Sequence, residues 1–201
     1  GIASNSKGFT ATALAILADE GKLIFDDKVT KFIPEFKMYD DYLTREVTIK
    51  DLITHRAGLG LGQGDLMFFP EGGSLTVNDI VHNVRYLKPE HSFRNELDYN
   101  NIMFIVAGEV IHRISGLTWA EFIEQRIMKP VGMTSSFGNY NRAKKAGEKN
   151  IIDAHASVDG KAVQIPHDWN ETADAAGGIL SNIKDMTTWA EFLMNGFTTK
   201  D

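Results

Sequence analysis

Apolar residues recurring every three or four positions mark a succession of helices along the chain. From about Ser4 to Glu20, the residues Phe9, Ala13, Ile16 and Leu17 fall on one face, and Gly21 closes the segment as a C-cap. Thr48-Ile49-Lys50-Asp51 opens a second helix with a cap-like threonine, and it ends by His55-Arg56-Ala57-Gly58. A third runs from Thr76 to about Leu87 and is ended by Pro89. Asn101 to Ile114 is the most apolar stretch (Ile102, Met103, Phe104, Ile105, Val106, Val110, Ile111), so it is predicted to be central, and Gly116 stops it. Thr118-Trp119-Ala120-Glu121 is a capping box that opens a helix to about Met128, which Pro130-Val131-Gly132-Met133 breaks. A last helix spans Asn182 to Met194 and ends at Gly196.

Between these segments the period is lost. Gly58 to Gly73 is glycine-rich, with alternating glycine and leucine followed by paired phenylalanines. It lacks the spacing of a phosphate-binding turn and reads as an ordered flap lining a cleft, with a mobile surface loop as the plain alternative. Ala154 to Ile165 is predicted to form a small hairpin turning at Asp159-Gly160. Ala175-Ala176-Gly177-Gly178-Ile179-Leu180-Ser181 reads as a strand entering the last helix. The inventory is mostly helical with few strands, and no internal repeat interrupts it.

Composition removes several function classes. The 201 residues are 43% hydrophobic and 24% charged, enough for one domain or a large part of one. Net charge is −6 and the basic residues are scattered, which argues against a nucleic-acid partner. With no cysteine there is no thiol catalysis, disulfide or cysteine-bound zinc. His55, His82, His91, His112, His155 and His167 show no metal-ligand spacing, so no metal site and no cofactor are expected. No apolar run approaches the ~20 residues of a membrane span. Trp119, Trp169 and Trp189 suit packing, although Trp169 falls in a loop and is a candidate to face a cleft.

The chemistry concentrates in two short motifs. Ser4-x-x-Lys7 places a hydroxyl and an amine three residues apart, on one helical face. A serine becomes a useful nucleophile when a neighbouring group takes its proton, and free N–H groups at a helix start favour the negative charge that follows. Alone, the pattern also fits a serine N-cap followed by a solvated lysine. The second motif is Tyr99-Asn100-Asn101, just before the apolar helix. A phenol there can exchange protons with Ser4, and the Asn101 amide can bond both a substrate carbonyl and Lys7. A core tyrosine and a helix-capping asparagine are the bland counterparts.

Together with the sequence connecting them, the motifs resemble the class C β-lactamase and penicillin-binding-protein family of serine hydrolases. The similarity includes Gly21-Lys22-Leu23 through Asp26-Asp27-Lys28-Val29, Phe32-Ile33-Pro34-Glu35-Phe36, and Thr48 through Leu59. It continues through Ala107-Gly108-Glu109-Val110-Ile111, Pro130-Val131-Gly132-Met133 and Ala176-Gly177-Gly178-Ile179 to Asp185-Met186, in the same order along nearly the whole chain. The resemblance implies an α/β fold of the β-lactamase/transpeptidase type, of which residues 1–201 would be mainly the helical portion. It implies Ser4 as the acylated nucleophile, Lys7 and Tyr99 as a shared base, and Asn101 as the residue orienting substrate and Lys7. The Ser4 backbone N–H would be one oxyanion donor. Substrates would be a β-lactam, a D-amino-acid peptide or a carboxylic ester, hydrolysed without metal or cofactor.

Two departures qualify this. The family's third motif, Lys-Thr-Gly or His-x-Gly, is expected beyond the Ala-Gly-Gly segment, and Lys145-Ala146-Gly147 falls too early to stand for it. The opening strands of the family precede the nucleophile. The chain is therefore expected to be an incomplete domain, lacking the N-terminal strands, the strand bearing the third motif and the second oxyanion donor that strand supplies. A non-catalytic ligand-binding relative and an inactive fragment are the rival readings. Phe68, Phe69 and Arg94 are the first candidates for substrate contacts. Relatives are often exported from bacteria, which leaves compartment and oligomeric state open.

Overall fold

The computed structural model describes residues 1–69, 73–166 and 170–198, so Trp169, His167 and residues 70–72 of the glycine-rich loop lie outside the described residues. The helices in chain order are α1 (Ser6–Asp19), α2 (Asp41–Glu46), α3 (Ile49–Ile53), α4 (Val77–Asn83), α5 (Ile102–Ser115) and α6 (Trp119–Ile123). They are followed by α7 (Lys129–Val131), α8 (Tyr140–Lys145), α9 (Asp174–Gly177) and α10 (Ile183–Met194). The described residues hold one two-stranded sheet, β1 (Ala154–Val158) against β2 (Lys161–Ile165).

Helix α5 is the axis of the molecule. Every residue from Ile102 to Ile111 is buried, and α1, α3, α4, α6 and α9 all pack on it. Each large apolar side chain so enclosed contributes roughly 1.5–3 kcal/mol of transfer free energy, which is why the least polar helix takes the centre. At the start of α5 the two asparagines divide the labour. Asn100 Oδ1 accepts the Met103 N–H at 3.3 Å, while Asn101 makes no capping bond, leaving its amide for other partners. Capping boxes fix the starts of α3, α4 and α6 through Thr48/Asp51, Thr76/Asp79 and Thr118/Glu121.

Three segments differ from expectation. Ser4 lies on a 3₁₀ turn (Ala3–Asn5), and α1 begins only at Ser6. The serine–lysine alignment survives because three residues complete a 3₁₀ turn, so positions i and i+3 eclipse. Pro130 does not break its helix. The chain passes from α6 into a π turn (Glu124–Met128) and continues through α7 to Gly132. The wider turn moves away the carbonyl four residues back, which a proline ring would otherwise strike. The stretch expected to be a strand from Ala175 to Ser181 is instead α9, followed by a single antiparallel bridge between Leu180 and Phe137. Small residues serve a close helix crossing there: a β-carbon on Gly108 of α5 would sit 2.7 Å from Ala175 Cβ. The hairpin is as predicted, with Val158 opposite Lys161 and positive φ at both Asp159 (49°) and Gly160 (74°).

Candidate active site

The four residues singled out by the two motifs meet at the junction of α1, α5 and α9. The Lys7 amine donates to Ser4 Oγ at 3.0 Å, to Asn101 Oδ1 at 2.8 Å and to the Ala176 carbonyl of α9 at 2.8 Å. An ammonium has three donors, and all three are used. Ser4 Oγ lies 2.5 Å from the Tyr99 hydroxyl, across 95 positions of sequence. The serine is exposed and the lysine is 7% exposed, so the hydroxyl faces solvent while the amine sits beneath it.

The segment bearing Ser4 is pinned from both sides. Ile2 N–H donates to the Ile179 carbonyl at 2.9 Å, and Ile179 N–H donates to Ser6 Oγ at 3.2 Å. Ala3, directly before the serine, has φ of 48°, in the left-handed region that residues with a β-carbon seldom occupy. Behind α1, Trp119 Nε1 donates to Thr10 Oγ1 at 3.0 Å, and Thr10 Oγ1 donates to the Ala175 carbonyl at 2.7 Å. That buried relay sets α9 against α1, and with it the Ala176 carbonyl that Lys7 uses.

Burial sets the electrostatics. Loss of water around the Lys7 amine pulls its pKa below the ordinary lysine value, an effect that Tyr99 and the charge of Asp65 oppose. Lys7 Nζ also lies 4.9 Å from the centre of the Tyr99 ring and 5.3 Å from that of Phe104.

Two residues outside the motifs complete the site. Asp65 Oδ2 accepts from Asn101 Nδ2 at 2.9 Å. It is the one charged residue between Gly58 and Phe69, and that isolation was its only signal in the sequence. His55 stacks beneath Tyr99, ring centres 4.5 Å apart, and its Nδ1 accepts the Asn100 N–H at 3.1 Å. Burial, and next the charge on Lys7, push the His55 imidazole below the usual histidine pKa. The sequence marked it only as a histidine at a helix end without metal-ligand spacing.

The glycine-rich loop is tied to this site as far as the described residues extend. Asn100 Nδ2 donates to the carbonyls of Gly60 (3.1 Å) and Gln63 (2.9 Å). Gly64 has φ of +89°, and a β-carbon there would come within 2.7 Å of Ile102 Cγ1, so the turn admits only glycine. Phe69 at the end of the described part is 60% exposed, whereas Phe68 packs partly buried against the core. Arg94 is not brought to Ser4. Its guanidinium donates to both carboxylate oxygens of Asp51, at 2.8 and 2.7 Å, and to the Glu46 carbonyl at 3.1 Å. Asp51 is 4% exposed, and the arginine supplies the countercharge that offsets the cost of burying it.

Among the described residues, His91, Glu96 and Asp98 bring possible metal-ligand atoms within 4.8 Å of one another. The His91 Nδ1–Asp98 Oδ1 hydrogen bond of 2.6 Å already joins two of them, and none belongs to the Ser4 cluster. A cavity of about 550 Å³, lined by Ile105, Gly108, Glu109, Trp119 and Arg142 among others, contains none of Ser4, Lys7, Tyr99 and Asn101. The Ser4 hydroxyl, the Lys7 amine and the Tyr99 phenol meet at the exposed serine and not in that cavity.

A family model described as Beta-lactamase matches residues 1–200. The Unguisins hydrolase ungD' of Aspergillus campestris is 28% identical over 199 residues, covering 95% of this chain and 37% of that protein. The octameric penicillin-binding protein homologue from Pyrococcus abyssi superposes with a TM-score of 0.80 at 28% identity, over 98% of this chain and 45% of its own. A D-stereospecific amidohydrolase from Streptomyces sp. gives 0.81 at 23% identity, over 100% of this chain and 62% of its own, a likeness of fold alone. The chain therefore spans a little over a third of the length of the curated relatives it matches, as the 37% and 35% coverage of two of them illustrates.

Proposed function

The chain belongs to the Beta-lactamase family and has the β-lactamase/transpeptidase-like fold, and from that premise we propose that the full-length protein is a serine hydrolase that forms an acyl-enzyme at Ser4. The observation that carries this reading is the position of Ser4 Oγ, 3.0 Å from Lys7 Nζ and 2.5 Å from the Tyr99 hydroxyl.

In the proposed reaction Ser4 Oγ attacks the carbonyl carbon of an amide or ester, such as a β-lactam, a D-amino-acid peptide or a carboxylic ester. Its proton passes to the Lys7–Tyr99 pair. A fully protonated Lys7 spends all three donors and cannot accept, so the pair acts with one proton fewer. Either Lys7 is neutral and accepts from Ser4, or Tyr99 is the phenolate and Lys7 stays charged. The two forms carry the same net charge and differ only in which of the two groups holds the proton. The Ser4 backbone N–H stabilises the tetrahedral oxyanion. The leaving amine or alcohol collects the proton through Tyr99, and water then hydrolyses the ester at Ser4 by the reverse relay. Asn101 orients Lys7 and the substrate carbonyl, and Phe68 and Phe69 face the acyl group. Tyr99→Phe is expected to slow acylation about 10²–10⁴-fold, the usual worth of a positioned acid–base group.

The test is acylation of full-length protein by a fluorophosphonate or a penicillin, read by intact mass and peptide mapping. One adduct on Ser4, absent from Ser4→Ala, is expected. No label from either reagent defeats the reading and favours a ligand-binding relative without catalysis, whereas label that persists in Ser4→Ala defeats Ser4 as the nucleophile and moves it elsewhere.

A further inference from the structure

We propose that His55 is a positioning residue that holds Tyr99 and Asn101 in register with the Ser4–Lys7 pair. The proposal rests on the acyl-enzyme reading above and extends it to a residue in neither motif.

His55 engages three consecutive residues. Its carbonyl accepts the Asp98 N–H at 2.7 Å, its ring stacks on Tyr99 with an interplanar angle of 29°, and its Nδ1 accepts the Asn100 N–H at 3.1 Å. Asn100 sits between the phenol and the amide that meet Lys7, so one imidazole fixes the floor under the first and the backbone leading to the second. Phe104 contacts the same ring at 5.1 Å, which leaves the imidazole little freedom to rotate. The backbone conformation points the same way. His55 has φ of 56°, a conformation that residues with a β-carbon adopt at a cost and keep only where the surroundings hold it.

The protonation state follows from the hydrogen bond. Nδ1 accepts an N–H, so it carries no proton and the ring is the neutral Nε2–H tautomer. A neutral ring is compatible with the Lys7 ammonium close by, whereas an imidazolium would repel it. Among the hydrogen bonds between described residues, His55 makes none to Ser4 or Lys7. Its effect on the reaction therefore runs through Tyr99 and Asn100.

The experiment uses full-length protein with two variants that each keep half of the device. His55→Asn retains a side-chain acceptor and tolerates positive φ; His55→Phe retains a stacking ring but no acceptor. Fluorophosphonate labelling across probe concentrations separates the binding constant from the acylation rate constant. The rate constant is expected to fall about tenfold or more in each variant, with the binding constant within about twofold, since geometry lost at the reacting centre acts on the chemical step. Wild-type rate constants in both variants, or a loss carried wholly by the binding constant, overturn the proposal, as does failure of both variants to fold. A label-independent arm reads nitration of Tyr99 by tetranitromethane, followed by peptide mass. Nitration is expected to speed up when the ring beneath is removed in His55→Asn, and an unchanged rate overturns the proposal. A wild-type protein that takes no acyl label defeats the acyl-enzyme reading, while the nitration arm still decides the positioning role.

Discussion

The Asp65 carboxylate holds the side chain of Asn101, accepting from Nδ2 at 2.9 Å while Asn101 Oδ1 faces Lys7 at 2.8 Å. That bond fixes which end of the amide faces the lysine. The charge of Asp65 also keeps the Lys7 pKa higher than burial alone would leave it. In Asp65→Ala, Asn101 is free to turn, and the acylation rate constant is expected to fall about tenfold. The rise of that rate with pH is expected to move to lower pH, because the lysine loses a stabilising anion. A labelling-rate profile from acid to alkaline pH checks both. An unmoved profile would mean that Asp65 does not act on Lys7.

His55 makes stability depend on pH with a definite sign. Its folded pKa is depressed from the ordinary 6.5, chiefly by burial. Above that value neither state binds the proton, and the contribution of the neutral ring is fully present. As pH falls below it, the unfolded chain takes up the proton first, and stability declines until the lower folded pKa is reached. Lys7 is the cation facing the ring, and it strengthens the effect. Urea midpoints between pH 7 and 5 should fall more for wild type than for His55→Phe. Parallel curves would contradict the depressed pKa.

Arg94 provides a contrast, because its loss should harm folding and spare chemistry. Arg94→Ala leaves a buried carboxylate without its cation, although Asp51 keeps the Thr48 N–H and hydroxyl as donors at 2.9 and 2.7 Å. The arginine side chain is 45% exposed, so the cost falls below that of a fully buried pair, at about 2 kcal/mol. For a chain of this size that lowers Tm by ~4–8 °C. Labelling of the folded variant should stay within about twofold of wild type, and a large loss there would return Arg94 to the substrate.

Gly108→Ala tests the crossing of α5 and α9. An alanine gains about 1 kcal/mol of helix propensity, but its β-carbon would meet Ala175 Cβ at 2.7 Å. Overpacking costs about 1–3 kcal/mol and outweighs the gain. Because α9 carries the Ala176 carbonyl that Lys7 bonds, acylation should slow together with the loss of stability. A stabilised variant with full activity would show that α9 gives way without cost.

The serine–lysine spacing, the apolar period of α5, the threonine caps and the Asp-Gly hairpin were legible because each is a contact between near neighbours, and local geometry follows from local residue types. The pairing of Tyr99 with Ser4 was legible as compatible chemistry, which the resemblance strengthened, but not as geometry, since nothing in the spacing of 95 residues specifies a contact. The rest was decided in three dimensions. The π turn that carries the helix past Pro130 and the helical α9 in place of a strand are tertiary adjustments of weak local preferences. The pairing of Arg94 with Asp51 was not legible in the sequence, because it exists only once the fold buries the carboxylate and brings the arginine beside it. Lys7 is buried, with its third donor on Ala176, because α9 is drawn against α1 and α5 by small residues and the Trp119–Thr10 relay. The sequence determined which hydroxyl, amine and phenol are available to the site, and packing determined their partners and the burial that lowers the Lys7 pKa.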